Sequence, residues 1–314
     1  MSFRRLGTSG LAVSVVGIGC NNFGRKIGAD EVHAVVDAAL ECGVNLFDTA
    51  DIYGEPHGGS EELLGAALKG RRDDVIVATK FGSNMDGVNG RDWDARGSRR
   101  YIIGAVEASL RRLGTDHIDL YQMHEPDPVT PIEETLSTLD GLVRSGKVRY
   151  IGSSNFAGWQ VADAAWTARA HHLAPFVSAQ NEYSLLERAA EAELLPACAR
   201  FGVGLLPYFP LASGLLTGKY RRDQAAPPGT RLSHPRFAPR LANAPWSKVE
   251  RIEEFARERA ISMLDVAIGA LLGRPEVASV IAGATTPEQV RANVAAAAWS
   301  PSSVDLTELD AITA

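Results

Sequence analysis

The sequence predicts a (β/α)8 TIM barrel, and three observations lead there. A short apolar run, a polar loop and an amphipathic helical stretch recur eight times along 314 residues. Strands alternating with helices of that length imply parallel pairing. Eight such units in a chain of this size suit a closed barrel better than an open sheet. The expected organisation is one barrel domain over residues 1–314.

The opening segment, 3–11, carries GTSG in its middle and reads as a hairpin plugging one end of the barrel. The spacing predicts strands at 15–19, 45–49, 75–79, 118–123, 149–152, 177–180, 204–207 and 279–281. Helical patterns fall near 29–42, 60–69, 99–113, 132–145, 159–170, 190–201, 262–272 and 287–297. Ser60 in SEELL reads as an N-cap, and Thr286 precedes Pro287 at a first helical position. Helices stopping at Gly43, Gly114, Gly146, Gly202 and Gly273 show the expected left-handed ending. The proline-rich stretch 220–245 lacks periodicity and is too long for an ordinary connection, which marks a functional loop or disorder.

Composition narrows the function classes. The chain is 45% hydrophobic and 22% charged, with a formal net charge of −6. That balance argues against a general nucleic-acid or membrane-surface binder, either of which needs a basic face. Cys20, Cys42 and Cys198 are odd in number and far apart, so no disulfide framework is expected, and Cys42 and Cys198 read as small buried apolar residues. No apolar run reaches the roughly 18 residues of a membrane span. The start, MSFRRLGTSG, has no signal-peptide core, and a cytoplasmic protein is expected.

In such a barrel reactive groups sit at the C-terminal ends of strands. NLFDTADIYG begins as a buried strand and then places Asp48 at its end and Tyr53 in the loop beyond. Lys80 closes VATK, and His124 closes DLYQMH before the turn signal EPDP. These strands are consecutive, so their ends are neighbours on one rim. Lys80 would be desolvated there and requires a carboxylate, for which Asp48 is the obvious partner. A phenol of pKa about 10 is a poor acid–base catalyst near neutrality, and a nearby cation would lower that value. His124 as neutral imidazole would orient a carbonyl while Tyr53 protonates its oxygen and a hydride arrives at carbon. Taken singly, each residue has a plainer reading: Asp48 a turn residue, Tyr53 a structural phenol, Lys80 an ion-pair partner, His124 a backbone donor. Four such groups at one rim favour catalysis.

At this point the chain resembles the aldo-keto reductase superfamily. FDTADIYG, VATKFG, YQMHEPDP, GSSNF, SAQNEYSLL, LASGLLTGKY and IAGATTPEQVRAN occur in the family's order and spacing over nearly the whole sequence. The resemblance implies Tyr53 as general acid/base with Asp48, Lys80 and His124 completing a tetrad. It implies a nicotinamide cofactor bound without a Rossmann domain, and long cofactor and substrate loops. Ser154, Asn155 and Gln180 match residues that hold the carboxamide, and Tyr208 matches the aromatic that stacks on the nicotinamide. Pro210, Leu211 and Ser213 match the pyrophosphate loop, Lys219 a phosphate-contacting lysine, and Arg231 an arginine that belts the nucleotide. Gly283, Thr285, Gln289 and Asn293 match the adenosine-phosphate site at a helix N-terminus.

Many relatives have Lys-Ser where this chain has Gly283-Ala284 and Arg in place of Gln289, others have Arg in place of Thr285, and Phe209 stands where serine is common. The resemblance implies NADPH/NADP, and these departures, which remove or replace the strongest side-chain contacts to a 2′-phosphate, leave NADH use open. The implied activity is reduction of small-molecule aldehyde carbonyls to alcohols, with ketones as an extension. A nicotinamide-sensing binding subunit resembling channel beta subunits is the alternative, and a phosphate-sugar isomerase or aldolase on the same architecture is a more distant one. GIGCNNFG has the wrong spacing for a dinucleotide fingerprint, and GLLTGKY is one residue short of a P-loop. No metal site is expected, since His171 and His172 are adjacent on a helix. Phe23, Trp93 and Trp246 are candidate pocket walls, with anchoring of the long loop by packing an equal reading for Trp246.

Overall fold

The computed structural model describes residues 1–314. Strands β1 (Phe3–Arg5) and β2 (Ala12–Ser14) form an antiparallel hairpin. The barrel strands are β3 (Val16–Gly19), β4 (Leu46–Asp48), β5 (Ile76–Phe81), β6 (Ile118–Met123), β7 (Val148–Ser154), β8 (Phe176–Gln180), β9 (Gly204–Leu205) and β10 (Val280–Gly283). All pair in parallel, in the order β10-β3-β4-β5-β6-β7-β8-β9. Backbone bonds close the ring between its ends: Leu205 N donates to Glu276 O, Ala278 N to Leu205 O and Ile281 N to Pro207 O, at 2.7, 2.9 and 3.0 Å.

Side chains alternate across a strand, and that period divides the interior into two layers. Leu46, Ala78, Leu120, Leu206 and Ile281 pack inside the barrel with Leu6 and Val13 of the hairpin, an apolar plug at the N-terminal end. Two residues further along β4, β5, β6 and β8, the inward positions become Asp48, Lys80, Gln122 and Gln180, all buried. Outward residues such as Phe47, Val77 and Tyr121 enter the main core between strands and helices.

The surrounding helices are α1 (Ala29–Glu41), α2 (Gly59–Ala67), α3 (Arg99–Leu113), α4 (Ile132–Arg144), α5 (Gly158–Ala170), α6 (Leu194–Phe201), α7 (Ala238–Ala242), α8 (Trp246–Glu258), α9 (Met263–Leu272), α10 (Pro287–Ala296) and α11 (Ser303–Thr313). Eight of these correspond to the expected patterns; α7, α8 and α11 do not. The expected loop 220–245 holds two 3-10 turns, Arg231–Ser233 and Pro235–Phe237, and then α7. Trp246 opens α8 and packs near Leu215, Tyr220 and Leu232, so of its two expected roles the structure shows the anchoring one.

Several local expectations are corrected. The N-cap of α2 is Gly58, in left-handed conformation. Ser60 lies inside that helix, where its hydroxyl donates inward to Cys20 O at 2.9 Å. Gly273 is right-handed, unlike Gly43, Gly114, Gly146 and Gly202, because Gly273 N continues the helical bonding to Gly269 O. Phe23 is fully buried in the core, and Trp93 is 59% exposed with the Arg100 guanidinium over its ring. Cys42 is half-buried at the C-terminal end of α1.

No helix is long and apolar enough to cross a membrane. Gly65 is where α2 meets α3, since a Cβ there would collide with the Leu113 backbone. Overpacking of this kind costs about 1–3 kcal/mol. Gly65→Ala is therefore expected to lower the urea midpoint of unfolding by a corresponding amount, with an unchanged slope.

Candidate active site

The polar layer at the C-terminal end of the barrel centres on a buried ion pair. Lys80 Nζ lies 2.7 Å from Asp48 Oδ2 and also donates to Thr49 O at 2.8 Å. The other Asp48 oxygen accepts from Gln180 Nε2 at 2.8 Å and Gln122 Nε2 at 3.3 Å. Every strong acceptor on this carboxylate is thus used, as a buried charge requires. Gln122 was not among the sequence candidates. Its signal was present as a polar residue at an inward position of IDLYQM.

Tyr53 hangs over this pair from the β4–α2 loop. Lys80 Nζ is 5.0 Å from its ring centroid, and the His124 ring meets it edge-on at 5.8 Å. The loop is laced to β5 by Thr49 N donating to Ala78 O and Asp51 N to Lys80 O, at 2.8 and 3.1 Å. The four rim residues named from sequence therefore share one site. The expected lowering of the Tyr53 pKa does not hold in this structure. Burial raises the phenol above its ordinary value of 10, and the Lys80 charge opposes that rise without overcoming it. Burial also disfavours the Lys80 ammonium, yet Asp48 and Tyr53 outweigh it and hold Lys80 above its usual range. Burial, then the Lys80 charge, pushes His124 down to about 3. Its Nδ1 is buried without a partner.

A chain of hydrogen bonds runs from the ion pair to the next candidates. The Gln180 carbonyl accepts from Ser154 Oγ at 2.8 Å and Asn155 N at 3.0 Å. Asn155, left-handed at φ 59°, donates to His124 O at 2.9 Å. Its Oδ1 accepts from the Tyr208 hydroxyl at 2.8 Å, and burial pushes that phenol up to about 12. Ser154, Asn155, Gln180 and Tyr208 are thereby one fixed wall. The Gln180 amide, expected to face a ligand, is already committed to Asp48.

A second group gathers on the segment after Tyr208. Pro210 is buried and Leu211 half-buried. Phe209, Ala212, Ser213 and Gly214 have positive φ, and the Ala212 and Gly214 N–H groups donate back to Phe209 O and Leu211 O at 2.9 and 2.7 Å, which closes this segment into a tight turn. The Arg231 and Arg240 guanidinia lie 5.4 and 5.7 Å from the Phe209 ring centroid, and Arg240 donates to Ser213 Oγ at 2.6 Å. Burial, then the charges of Arg231, Lys219 and Arg25, lowers the Lys26 ammonium, and the Lys219 ammonium lies against Gly214. Burial, then Arg240, lowers Arg231 as well. Arg25 pairs with Glu55 at 3.1 Å and Arg240 lies 3.6 Å from Glu182, whereas Lys26, Lys219 and Arg231 form no ion pair. Lys26 and Arg240 were missed because neither sits in a recognisable motif.

The third group lies at the start of α10. Thr286 caps this helix, and Gln289 folds back so that Oε1 accepts from Thr285 N at 2.9 Å. Gly283 is exposed at the end of β10, close to the Asn22 side chain, whereas Asn293 is buried. No group of three or more His, Cys, Asp or Glu side chains is placed to hold a metal. A groove of about 840 Å³ between the starts of α3 and α4, lined by Arg99, Arg100, Glu133 and Glu134, shares no residue with these clusters.

Comparison with known proteins gives the family. A family model described as the Aldo/keto reductase family matches residues 15–314. The chain is 38% identical over 302 residues to the uncharacterized oxidoreductase YrpG of Bacillus subtilis (strain 168), covering 94% of this chain and 91% of that one. It is 35% identical over 305 residues to a probable voltage-gated potassium channel subunit beta of Oryza sativa subsp. japonica, covering 94% and 91%. It is 34% identical over 310 residues to the probable aldo-keto reductase 1 of Glycine max, covering 97% and 87%.

Two outcomes follow from this geometry. Lys80→Met leaves Asp48 buried without its counter-ion and is expected to cost roughly 3–5 kcal/mol in chemical denaturation. Adding Asp48→Asn to that variant is expected to restore much of the loss. The folded His124 pKa lies below the unfolded one, so its contribution to stability is present above about pH 6.5 and is lost as pH falls toward about 3. Nitrogen NMR of the imidazole is expected to show a neutral ring from pH 8 down to 5.

Proposed function

The chain belongs to the aldo/keto reductase family, and from that premise we propose that it is an NADP(H)-dependent oxidoreductase reducing aldehyde, and by extension ketone, carbonyls to alcohols. The observation that carries the reading is Lys80 held 2.7 Å from Asp48 and beneath the Tyr53 ring at 5.0 Å, with His124 alongside. The nicotinamide would supply the hydride. In this reading His124, neutral and half-buried, donates a hydrogen bond that orients the carbonyl. Tyr53 then gives its proton to the carbonyl oxygen. Its raised pKa keeps the phenol protonated at neutral pH, the state a proton donor needs. Once the proton has left, the Lys80 ammonium stabilises the phenolate, and Asp48 keeps Lys80 charged and in place.

The donor set fits a nicotinamide dinucleotide. Asn155 and Tyr208 form the wall nearest His124, on the side proposed for the nicotinamide. Lys26, Lys219 and Arg231, without carboxylate partners, suit a pyrophosphate, and Ser213 would join them on release from Arg240. Gly283, Thr285, Gln289 and Asn293 are proposed for the adenosine end.

A second reading is a nicotinamide-sensing binding subunit, and the similarity to the Oryza protein, named as a channel subunit beta, favours it. Turnover separates the two. Mixing protein, NADPH and an aromatic aldehyde should consume nicotinamide absorbance catalytically. Tyr53→Phe is expected to reduce kcat by about 10²–10⁴-fold, the usual worth of a positioned proton donor, with cofactor affinity little changed. An equally fast Tyr53→Phe enzyme would refute the mechanism. Tight cofactor binding without turnover on varied carbonyls would favour the second reading.

A further inference from the structure

Behind Tyr53, on the outer side of the barrel wall, lie two fully buried carboxylates, Asp51 and Glu61, of which only Glu61 meets the Arg112 guanidinium directly. Glu61 is well supplied: Thr79 Oγ1 donates to it at 2.6 Å and Arg112 Nε at 2.6 Å. Asp51 is not. Its Oδ2 accepts from Asn89 Nδ2 at 2.8 Å, while its Oδ1 is buried without a partner. Such a group costs stability and calls for an explanation.

Asn89 supplies one. It donates to Asp51 and accepts from Arg112 Nη1 at 3.2 Å. Asp86, Gly87, Val88, Gly90 and Arg91 around it are exposed, and Asn89 alone in this tip turns inward. Gly87 and Gly90 have φ of 87° and 93°, with open space where a Cβ would stand. They serve the turn that presents Asn89, not close packing. The far end of the same loop is tied down by Gly97 N donating to Asp127 Oδ2 at 2.6 Å. Asp51 itself lies between Asp48 and Tyr53, and its N–H is bonded to the Lys80 carbonyl.

We propose that Asp51 is a positioning residue for Tyr53 and that Asn89 is its latch, so that seating of the rim loop 82–98 sets where segment 49–53 carries the phenol. The functional consequence rests on the reductase reading above; the mechanical link between the loops does not. Burial, then Glu61, pushes the Asp51 carboxyl well above the usual carboxylate range. The bond Asp51 makes, Oδ2 accepting from Asn89 Nδ2, is one that an asparagine carboxamide oxygen can also accept.

The test compares wild type with Asn89→Ala, Asp51→Ala, Asp51→Asn and the double alanine variant. Amide hydrogen exchange is followed over 49–59 and 82–98, and kcat and KM are measured with NADPH and an aldehyde. Asn89→Ala, made in a surface loop, is expected to speed exchange in both segments and to lower kcat about tenfold, the effect of one ordinary hydrogen bond. The double variant should be no worse than the poorer single one, and Asp51→Asn should stay within about threefold of wild type. Exchange that rises only in 82–98, additive losses in kcat, or an Asp51→Asn variant as poor as Asp51→Ala would overturn the proposal. Should wild type bind NADPH without turnover, the reductase reading fails while the exchange data still decide the link between the loops.

Discussion

The Lys80–Asp48 pair governs the rest of the structure. Two charges withdrawn from water persist only if each is matched and its remaining bonding capacity is filled. Around this pair the barrel supplies Thr49 O for the ammonium and the amides of Gln122 and Gln180 for the carboxylate. Four neighbouring or facing strands thereby converge on one point, and the polar layer above the apolar plug has little freedom to rearrange. The proposed chemistry uses the same constraint. A cation that cannot leave keeps a neighbouring phenol under a fixed field.

The raised Tyr53 pKa shows why arguing from a charge alone misjudged the sign. A cation stabilises phenolate, but removing the phenol from water destabilises it, and here burial is the larger effect. For a group meant to deliver a proton, that balance is useful. In the proposed mechanism Lys80 would stabilise the phenolate that the transfer leaves behind.

The fold was largely legible because buried parallel strands and amphipathic helices leave strong local patterns. Strand β6 and helix α3 have the bounds their sequence patterns indicated. Helix α8 was hidden by the prolines before it, although Val249, Ile252 and Phe255 mark its buried face. Ser60 looked like a cap because its type suits one, and only the tertiary contact with Cys20 O shows its hydroxyl turned inward. In the site, Asp48, Lys80 and His124 were legible as polar groups ending apolar runs, and Tyr53 as a phenol in the loop after the first of them. Lys26, Arg240 and the Asp51–Asn89 contact were not, since each depends on loops that meet only after folding. Gln180 was found, but its bond to Asp48 across the barrel spans 132 positions and has no local signature.

The central claim is that Lys80 acts on chemistry through Tyr53. Single-turnover reduction by the preformed cofactor complex measures this most directly, in Lys80→Met and in Lys80→Met combined with Tyr53→Phe. The account predicts that the lysine change slows the step strongly in the presence of the tyrosine and hardly at all once it is phenylalanine. Equal slowing in both backgrounds would contradict it.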